Sequence, residues 1–337
     1  MGSSEVRTRL WRAGHLVSDD FPLAEVSDRL AEDGSLVWVD LCHPDHATLS
    51  RLADELGLDQ HAVEDAIAVA ERPKATSHPN HTFVVTYATH LETGISDEVP
   101  ANASRLRLTK IAAFVLPRGL VTIRDSDGFD MAEVLSVWDE NAELLTLGPG
   151  ALLHGLLDVV VDGHFDTVQQ LDEAIEALED GLFDEGRLTR ATHQQTFRVR
   201  KELVELRRVV LPMREVVNAV LRHRSELHRE ATDLDGWFAD LYDHVLRAAE
   251  WTESLRDLVT TIFETTLSLQ DARLNTIMKK LTGWAAIIAV PTAVTGWFGQ
   301  NIPYPGFGRP AGVWASTLII LAMAGALYAL FRRRDWL

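Results

Sequence analysis

Charge is missing from two long stretches of this 337-residue chain: no Asp, Glu, Lys or Arg occurs between Lys280 and Arg309, and none between Arg309 and Arg332. Each gap is long enough to cross a bilayer, because about 20 apolar helical residues span about 30 Å of hydrocarbon. Cysteine is nearly absent. The single Cys42 excludes an intrachain disulfide and fits a reducing compartment. Basic residues are in deficit: 32 Lys and Arg stand against 50 Asp and Glu, a formal charge of −18, which argues against a nucleic-acid partner. Met1 to Arg12 has no apolar core of the kind a secretory signal needs. The 13 histidines are dispersed, with no metalloprotease spacing and no glycine-rich phosphate loop, so nothing assembles an enzyme's nucleophile with its base. His43, His46 and His61, near Asp40 and Cys42, read as turn or surface residues.

What is present divides into three parts. Residues 1–149 read as a cytoplasmic α/β domain, 150–280 as a cytoplasmic helical region that includes a stalk helix, and 281–331 as two transmembrane helices (about 281–300 and 311–331) joined by an outer loop, 301–310. In the first part, short apolar runs at Leu36 to Val39, Thr82 to Tyr87, Ile111 to Leu116 and Gly119 to Ile123 are bounded by turn residues, as buried strands are. His46 to Gly57 carries Leu49, Leu52, Ala53 and Leu56 at helical spacing. From about Gly150 the pattern is helical only, with candidate helices at Leu152 to Leu178 and Ala191 to Leu221, Pro212 marking a kink or an end in the second. No proline then occurs until Pro291, and a roughly heptad-like pattern predicts one continuous helix from about Asp235 to about Phe298. The fold class expected is an α+β cytoplasmic domain, a long stalk helix and a C-terminal two-helix membrane hairpin.

Lys279 and Lys280 precede the first span and Arg332, Arg333 and Arg334 follow the second, with only Arg309 between. Basic flanks stay on the cytoplasmic side, so both termini are expected in the cytoplasm of a plasma-membrane protein. One face of the first span presents Asn275, Met278, Leu281, Ala285, Ile288, Thr292, Thr295 and Gly299 at steps of three or four, a single stripe. It is polar at its entry, apolar for two or three turns, then small and hydroxylated. Trp284, Ile287, Val294 and Trp297 lie opposite and suit lipid or a neighbouring helix. Small residues in membrane helices also mark close packing, so the stripe reads either as pore wall or as packing face. Two membrane helices enclose no conduit; a pore requires several subunits around an axis.

The residues resemble those of the CorA family of divalent-cation channels, best known for magnesium uptake. The resemblance covers nearly the whole chain. It runs from Val37-Trp38-Val39-Asp40-Leu41 through Leu56-Gly57-Leu58, Val63-Glu64-Asp65-Ala66 and Arg72-Pro73-Lys74 to Asp240-Leu241-Tyr242-Asp243-His244, then from Asn275 to Thr282 and on to Arg332-Arg333-Arg334-Asp335-Trp336-Leu337. The family's Gly-Met-Asn signature stands here as Gly299-Gln300-Asn301, with the middle residue changed. The resemblance implies a funnel-shaped homopentamer in the lipid bilayer whose first spans surround the pore. Gly299, Gln300 and Asn301 would form a selectivity filter of neutral oxygens suited to hydrated Mg2+, which sheds water reluctantly. Met278 and Leu281 match the hydrophobic constriction, while Asn275 and Thr292 supply polar rings. Regulatory Mg2+ between cytoplasmic domains would be held through Asp240 and Glu264, facing Asn80 and His81 where the family is usually acidic. The loop Pro303 to Arg309 has no acidic residue, another departure.

The leading expectation is therefore a Mg2+ channel, with Co2+ or Ni2+ as passengers, gated by cytoplasmic Mg2+ and using no organic cofactor. The alternatives are a zinc transporter, proton-coupled or not, on the same scaffold, and a non-conducting membrane-anchored oligomeric sensor.

Overall fold

A computed structural model describes residues 5–92, 103–182, 190–227, 233–300 and 302–337. They form two units, Met1–Thr261 and Ile262–Leu337.

The first unit is built on a seven-stranded sheet of order β2-β1-β3-β7-β6-β5-β4. The strands are β1 (Glu5–Arg12), β2 (His15–Asp19), β3 (Ser35–Cys42), β4 (Lys74–Ser77), β5 (Thr82–Leu91), β6 (Leu106–Leu116) and β7 (Gly119–Arg124). Neighbours are antiparallel except β3 and β7, which run parallel. Both faces are covered, so β3 and β7 are buried along their whole length and are mostly apolar, with Asp40, Thr122 and Arg124 among the buried polar exceptions. One face packs Val37, Val39, Val85, Ala112 and Phe114 under α1 (Val26–Ala31), α2 (His46–Leu56) and α3 (Gln60–Ile67). The other packs Trp38, Val84, Ile111, Ala113 and Leu120 under α4 (Met131–Glu140), α5 (Pro149–Leu182), α6 (Arg190–Leu227) and the start of α7 (Asp233–Phe298). The alternation of Val37, Trp38 and Val39 between these layers is the period-two rule of a strand.

Helix ends follow local chemistry. Asp45, Asp59 and Asp130 each accept a hydrogen bond from a first-turn N–H of α2, α3 and α4, and Gly57 closes α2 at φ 63°. Helix α6 continues through Pro212, and α7 through Pro291. Proline removes one backbone donor at each place without ending the helix. Pro212 is thus an interior residue and not a terminus.

The second unit holds the end of α7 and α8 (Pro310–Arg333), the two helices long and apolar enough to cross a membrane. Within it, Gly283 and Val290 are buried and Ile287 and Val294 half-buried, whereas the stripe through Leu281, Ile288 and Thr292 is exposed. A side chain on Gly283 would meet Leu337 and Phe331. Trp336 stacks on Phe331 at 5.4 Å.

Asp40 and Arg124 tie the parallel pair together inside the sheet. Arg124 Nη2 and Nε donate to Asp40 Oδ2 at 2.6 and 3.0 Å, Thr122 Oγ1 donates to Asp40 Oδ1 at 2.7 Å, and Arg124 Nη1 donates to the Phe129 carbonyl at 3.1 Å. Removing one partner leaves a buried charge alone, whereas replacing both removes the desolvation cost as well. Asp40→Ala should therefore cost about 3–5 kcal/mol in denaturant unfolding of the purified chain, and Asp40→Leu with Arg124→Met markedly less. An Asp40→Ala chain no less stable than the double variant would contradict this account.

His164 on α5 is fully buried and donates Nε2–H to the Tyr87 carbonyl at 2.8 Å. Burial lowers its pKa from 6.5 to about 4. The unfolded chain takes up this proton near pH 6.5 and the folded chain only near pH 4, so the stabilisation is complete above 6.5 and is lost as pH falls toward 4. Over that window the loss is about 3 kcal/mol. Melting midpoints recorded from pH 7 to 4 should fall, and His164→Gln should flatten part of that fall; an unchanged slope would remove His164 from the explanation.

Candidate functional site

The stripe on α7 is set by helix geometry alone, since steps of three and four keep one azimuth. Asn275, Met278, Leu281, Ala285, Ile288, Thr292 and Thr295 are all exposed in the single chain. Met278, Leu281 and Ile288 stand 58, 63 and 64 % exposed, a continuous apolar surface that no part of its own unit covers. The face turned toward α8 is the other one, through Gly283, Ile287, Val290 and Val294. Ile287 and Val294 thus take the neighbouring-helix role expected of them, while Trp284 and Trp297 stay exposed. The hydroxyls of Thr292 and Thr295 donate to the carbonyls of Ile288 and Thr292, at 3.4 and 3.2 Å. Each therefore leaves its oxygen lone pairs available as acceptors on the stripe.

At the C-terminal end of α7, Gly299 N–H donates to the Thr295 carbonyl at 2.8 Å and Gln300 N–H to the Trp297 carbonyl at 3.3 Å. A Cβ on Gly299 would lie 2.9 Å from that Thr295 oxygen, so the tight finish of the helix requires glycine. Gly299 and Gln300 are exposed. Asn301 lies outside the described residues. The following loop is seated by Tyr304, whose ring meets Phe298 edge-on at 4.9 Å and Phe307 at 5.4 Å.

The expected regulatory residues fall at separate places. Asp240 and Glu264 are exposed on α7, in the first and second units respectively. Asp240 lies 3.8 Å from His244 Nε2, one turn further on. Asn80 and His81 sit in the β4–β5 turn. Asn80 donates to the Gly57 carbonyl and accepts from His81 Nδ1 at 2.8 Å. His81 is 4 % exposed, and burial together with the His78 ring stacked on it at 4.6 Å lowers its pKa. Both side chains are thus already engaged within the chain. Among the described residues no group of three His, Cys, Asp or Glu side chains is placed to hold a metal ion. His43, His46 and His61 are exposed, as turn and surface residues should be.

Sequence reasoning passed over Asp162 on α5, an exposed carboxyl whose pKa is raised by partial desolvation and then by Asp158 one turn before it. The i,i+4 spacing of Asp158, Asp162 and Asp166 was the available signal.

The chain is similar to known proteins along most of its length. The model of the family described as CorA-like Mg2+ transporter protein matches residues 33–333. A cobalt/magnesium transport protein CorA of Thermotoga maritima is 28 % identical over 298 residues, covering 86 % of this chain and 80 % of that protein. A zinc transport protein ZntB of Pectobacterium carotovorum is 22 % identical over 270 residues, 79 % of this chain and 77 % of that one. The solved CorA magnesium transporter of Methanocaldococcus jannaschii superimposes with a TM-score of 0.76 at 21 % identity, over the whole of both chains. The chain belongs to the CorA-like Mg2+ transporter family.

Gly299→Ala pushes a methyl group against the Thr295 carbonyl and should reduce divalent-cation flux in proteoliposomes by about tenfold or more. Gly325→Ala on α8, where open space surrounds the position, should leave flux unchanged. Equal flux from both variants would contradict the requirement for glycine at 299.

Proposed function

We propose that the chain is a channel for hydrated divalent cations, Mg2+ foremost and Co2+ or Ni2+ less readily, driven by the membrane potential. It works as a homopentamer in the cell inner (plasma) membrane, with both termini cytoplasmic and the 301–310 loop outside. Functionally the chain divides into the α/β domain 1–149, the helical region 150–280 and the membrane hairpin 281–331. The observation that carries this reading is the uncovered stripe. A lone α7 leaves Met278, Leu281 and Ile288 without any covering element of its own unit, while Gly283 and Val290 on the other side of the helix are buried. Copies arranged about an axis turn that stripe inward.

The chemistry follows the stripe from outside to inside. Mg2+ holds its water tightly and is recognised best through that shell by neutral oxygens. Backbone carbonyls at Gly299 and amides of Gln300 and Asn301 supply such a ring without the deep trap that carboxylates would make. Thr295 and Thr292 offer further acceptors, then Ala285 and Ile288 leave a smooth wall. Leu281 and Met278 form a constriction that closes by dewetting, because a hydrated ion finds no replacement for its water there. Asn275 receives the ion at the cytoplasmic end. Cytoplasmic Mg2+ bound between copies at Asp240 and Glu264, against Asn80 and His81, holds the constriction shut. The engagement of Asn80 and His81 within their own chain makes their share of that site weak.

A zinc transporter on the same scaffold is the second reading. Similarity to a protein named for zinc transport and the change to Gln300 both favour it. A non-conducting sensor would have no use for the amide at Asn301.

Purified protein in liposomes carrying Mg2+- and Zn2+-sensitive dyes separates the three. The channel predicts Mg2+ entry that follows an imposed inside-negative potential and is lost in Asn301→Leu. Zn2+ entry that strengthens with an inward proton gradient would replace it with the second reading, and well-folded oligomers passing neither ion would leave the sensor.

A further inference from the structure

In a chain of formal charge −18, the second unit gathers cations at one end. From Lys279 to Leu337 the basic residues are Lys279, Lys280, Arg309, Arg332, Arg333 and Arg334, and Asp335 is the only acid. All but Arg309 come together. Lys279 and Lys280 lie on α7 about one turn before Gly283, and Arg332 follows Phe331, whose ring a side chain on Gly283 would meet. After α8 the chain reverses at Asp335, with φ 54°, and Trp336 N–H donates to the Phe331 carbonyl at 2.9 Å. The Trp336 ring stacks on Phe331 and Leu337 reaches Gly283, so the three arginines are held at the level of the two lysines.

All five of these side chains are exposed, and among the described residues none is paired with a carboxylate. Arg9, Lys74, Arg118 and Arg207 of the first unit, by contrast, are each matched with an acid. The helix dipole does not account for the cluster. The C-terminus of α8 carries about half a negative charge against three arginines, and Lys279 and Lys280 stand in the interior of α7, where no helix end exists. Nor do the lysines belong to the proposed pore wall, since they lie about 100° and 200° round the helix from Met278. The missing anion must come from outside the chain. Apolar surface adjoins the cations, for Tyr328 and Leu330 in the last turns of α8 are 43 and 46 % exposed. A soluble anion has no use for that surface, whereas a phospholipid does. Trp336, half-buried beside it, is the kind of amphipathic ring enriched where a membrane meets water.

We infer that this end of the second unit is a headgroup site for anionic phospholipid. The phosphate sits among the three arginines and two lysines, the acyl chains run along Tyr328 and Leu330, and Trp336 lies at the boundary between them. The inference rests on reading the hairpin as membrane-spanning, which places the site in the cytoplasmic leaflet. The test reconstitutes the full chain in phosphatidylcholine vesicles and adds phosphatidylglycerol or phosphatidylcholine carrying a nitroxide near the end of one acyl chain. Electron paramagnetic resonance then reads the fraction of each lipid immobilised on the protein. Both leaflets hold the probe, so the direction of insertion does not matter. Phosphatidylglycerol should be preferred about threefold or more. The preference should vanish in the triple variant Arg332→Gln, Arg333→Gln, Arg334→Gln, survive in Arg309→Gln, and fade at about 1 M salt, where the Debye length is about 3 Å. Glycerol 3-phosphate added at constant ionic strength should not displace the lipid; displacement would assign the site to soluble anions and overturn the inference. If the triple variant fails to fold, Lys279→Gln with Lys280→Gln decides, and should lower the preference about twofold. Immobilised phosphatidylcholine without preference for phosphatidylglycerol overturns the inference alone, as does an unchanged preference in a folded charge-removed variant. No immobilised lipid of either kind overturns the membrane reading together with it.

Discussion

Helix α7 works in two environments along one uninterrupted backbone, and the rest of the molecule answers to that constraint. At its start Leu234, Phe238, Leu241 and Val245 complete the core beneath the sheet. Beyond Thr266, in a stretch containing Leu274, Ile277, Met278 and Leu281, apolar side chains stand in the open alongside Asp271, Arg273, Lys279 and Lys280. A helix apolar over part of its surface and uncovered by its own chain is stable only where lipid or other copies supply the missing contacts. Backbone hydrogen bonding within the helix is what permits the change, since lipid tolerates a helix but few unsatisfied peptide groups. Pro291 falls within the apolar part, where Thr292 and Thr295 hydroxyls add local bonds to the backbone.

The soluble unit gives the start of that helix a rigid seat. Two layers of helices on a mixed sheet fix β3 and β7 in the middle, and the Asp40–Arg124 pair locks their parallel register with Thr122 and the Phe129 carbonyl. Elsewhere on the same sheet the chain spends polar groups on local bonds: the buried Lys110 of β6 donates to the carbonyls of Asp65 and Ala68 at the end of α3, and Asn80 bridges Gly57 and His81. The Asn80 bonds hold the β4–β5 turn, where two of the proposed cation contacts lie.

Much of this architecture was legible in the residues. The central strands announced themselves because burial on both faces leaves mostly apolar runs such as Leu36 to Val39 and Ile111 to Leu116. Strands β1, β2 and β4 did not: β2 and β4 are the edges of the sheet and β1 lies next to β2, and Glu5-Val6-Arg7-Thr8-Arg9 and His15 to Asp19 mix charge with apolar residues. The acid-capped helices α3 and α4 went unread because each is short, at 8 and 10 residues. The stripe from Asn275 to Gly299 was fully legible as a periodicity, but its outward exposure was not: only the packing of Gly283 and Val290 within the second unit decides which face is left uncovered. The role of Gly299 in making room for the Thr295 carbonyl was not legible, because it depends on how the helix finishes.

The account stands or falls on whether the stripe of α7 faces water. The single native cysteine is buried, so new thiols report alone. In liposome-reconstituted protein, Thr292→Cys and Ala285→Cys should react with a small charged thiol reagent and lose cation flux, while Trp284→Cys and Val294→Cys should stay unlabelled. Labelling of the Trp284 face with protection of Thr292 would contradict the account, because the stripe would then be a packing face and the ion path would lie elsewhere.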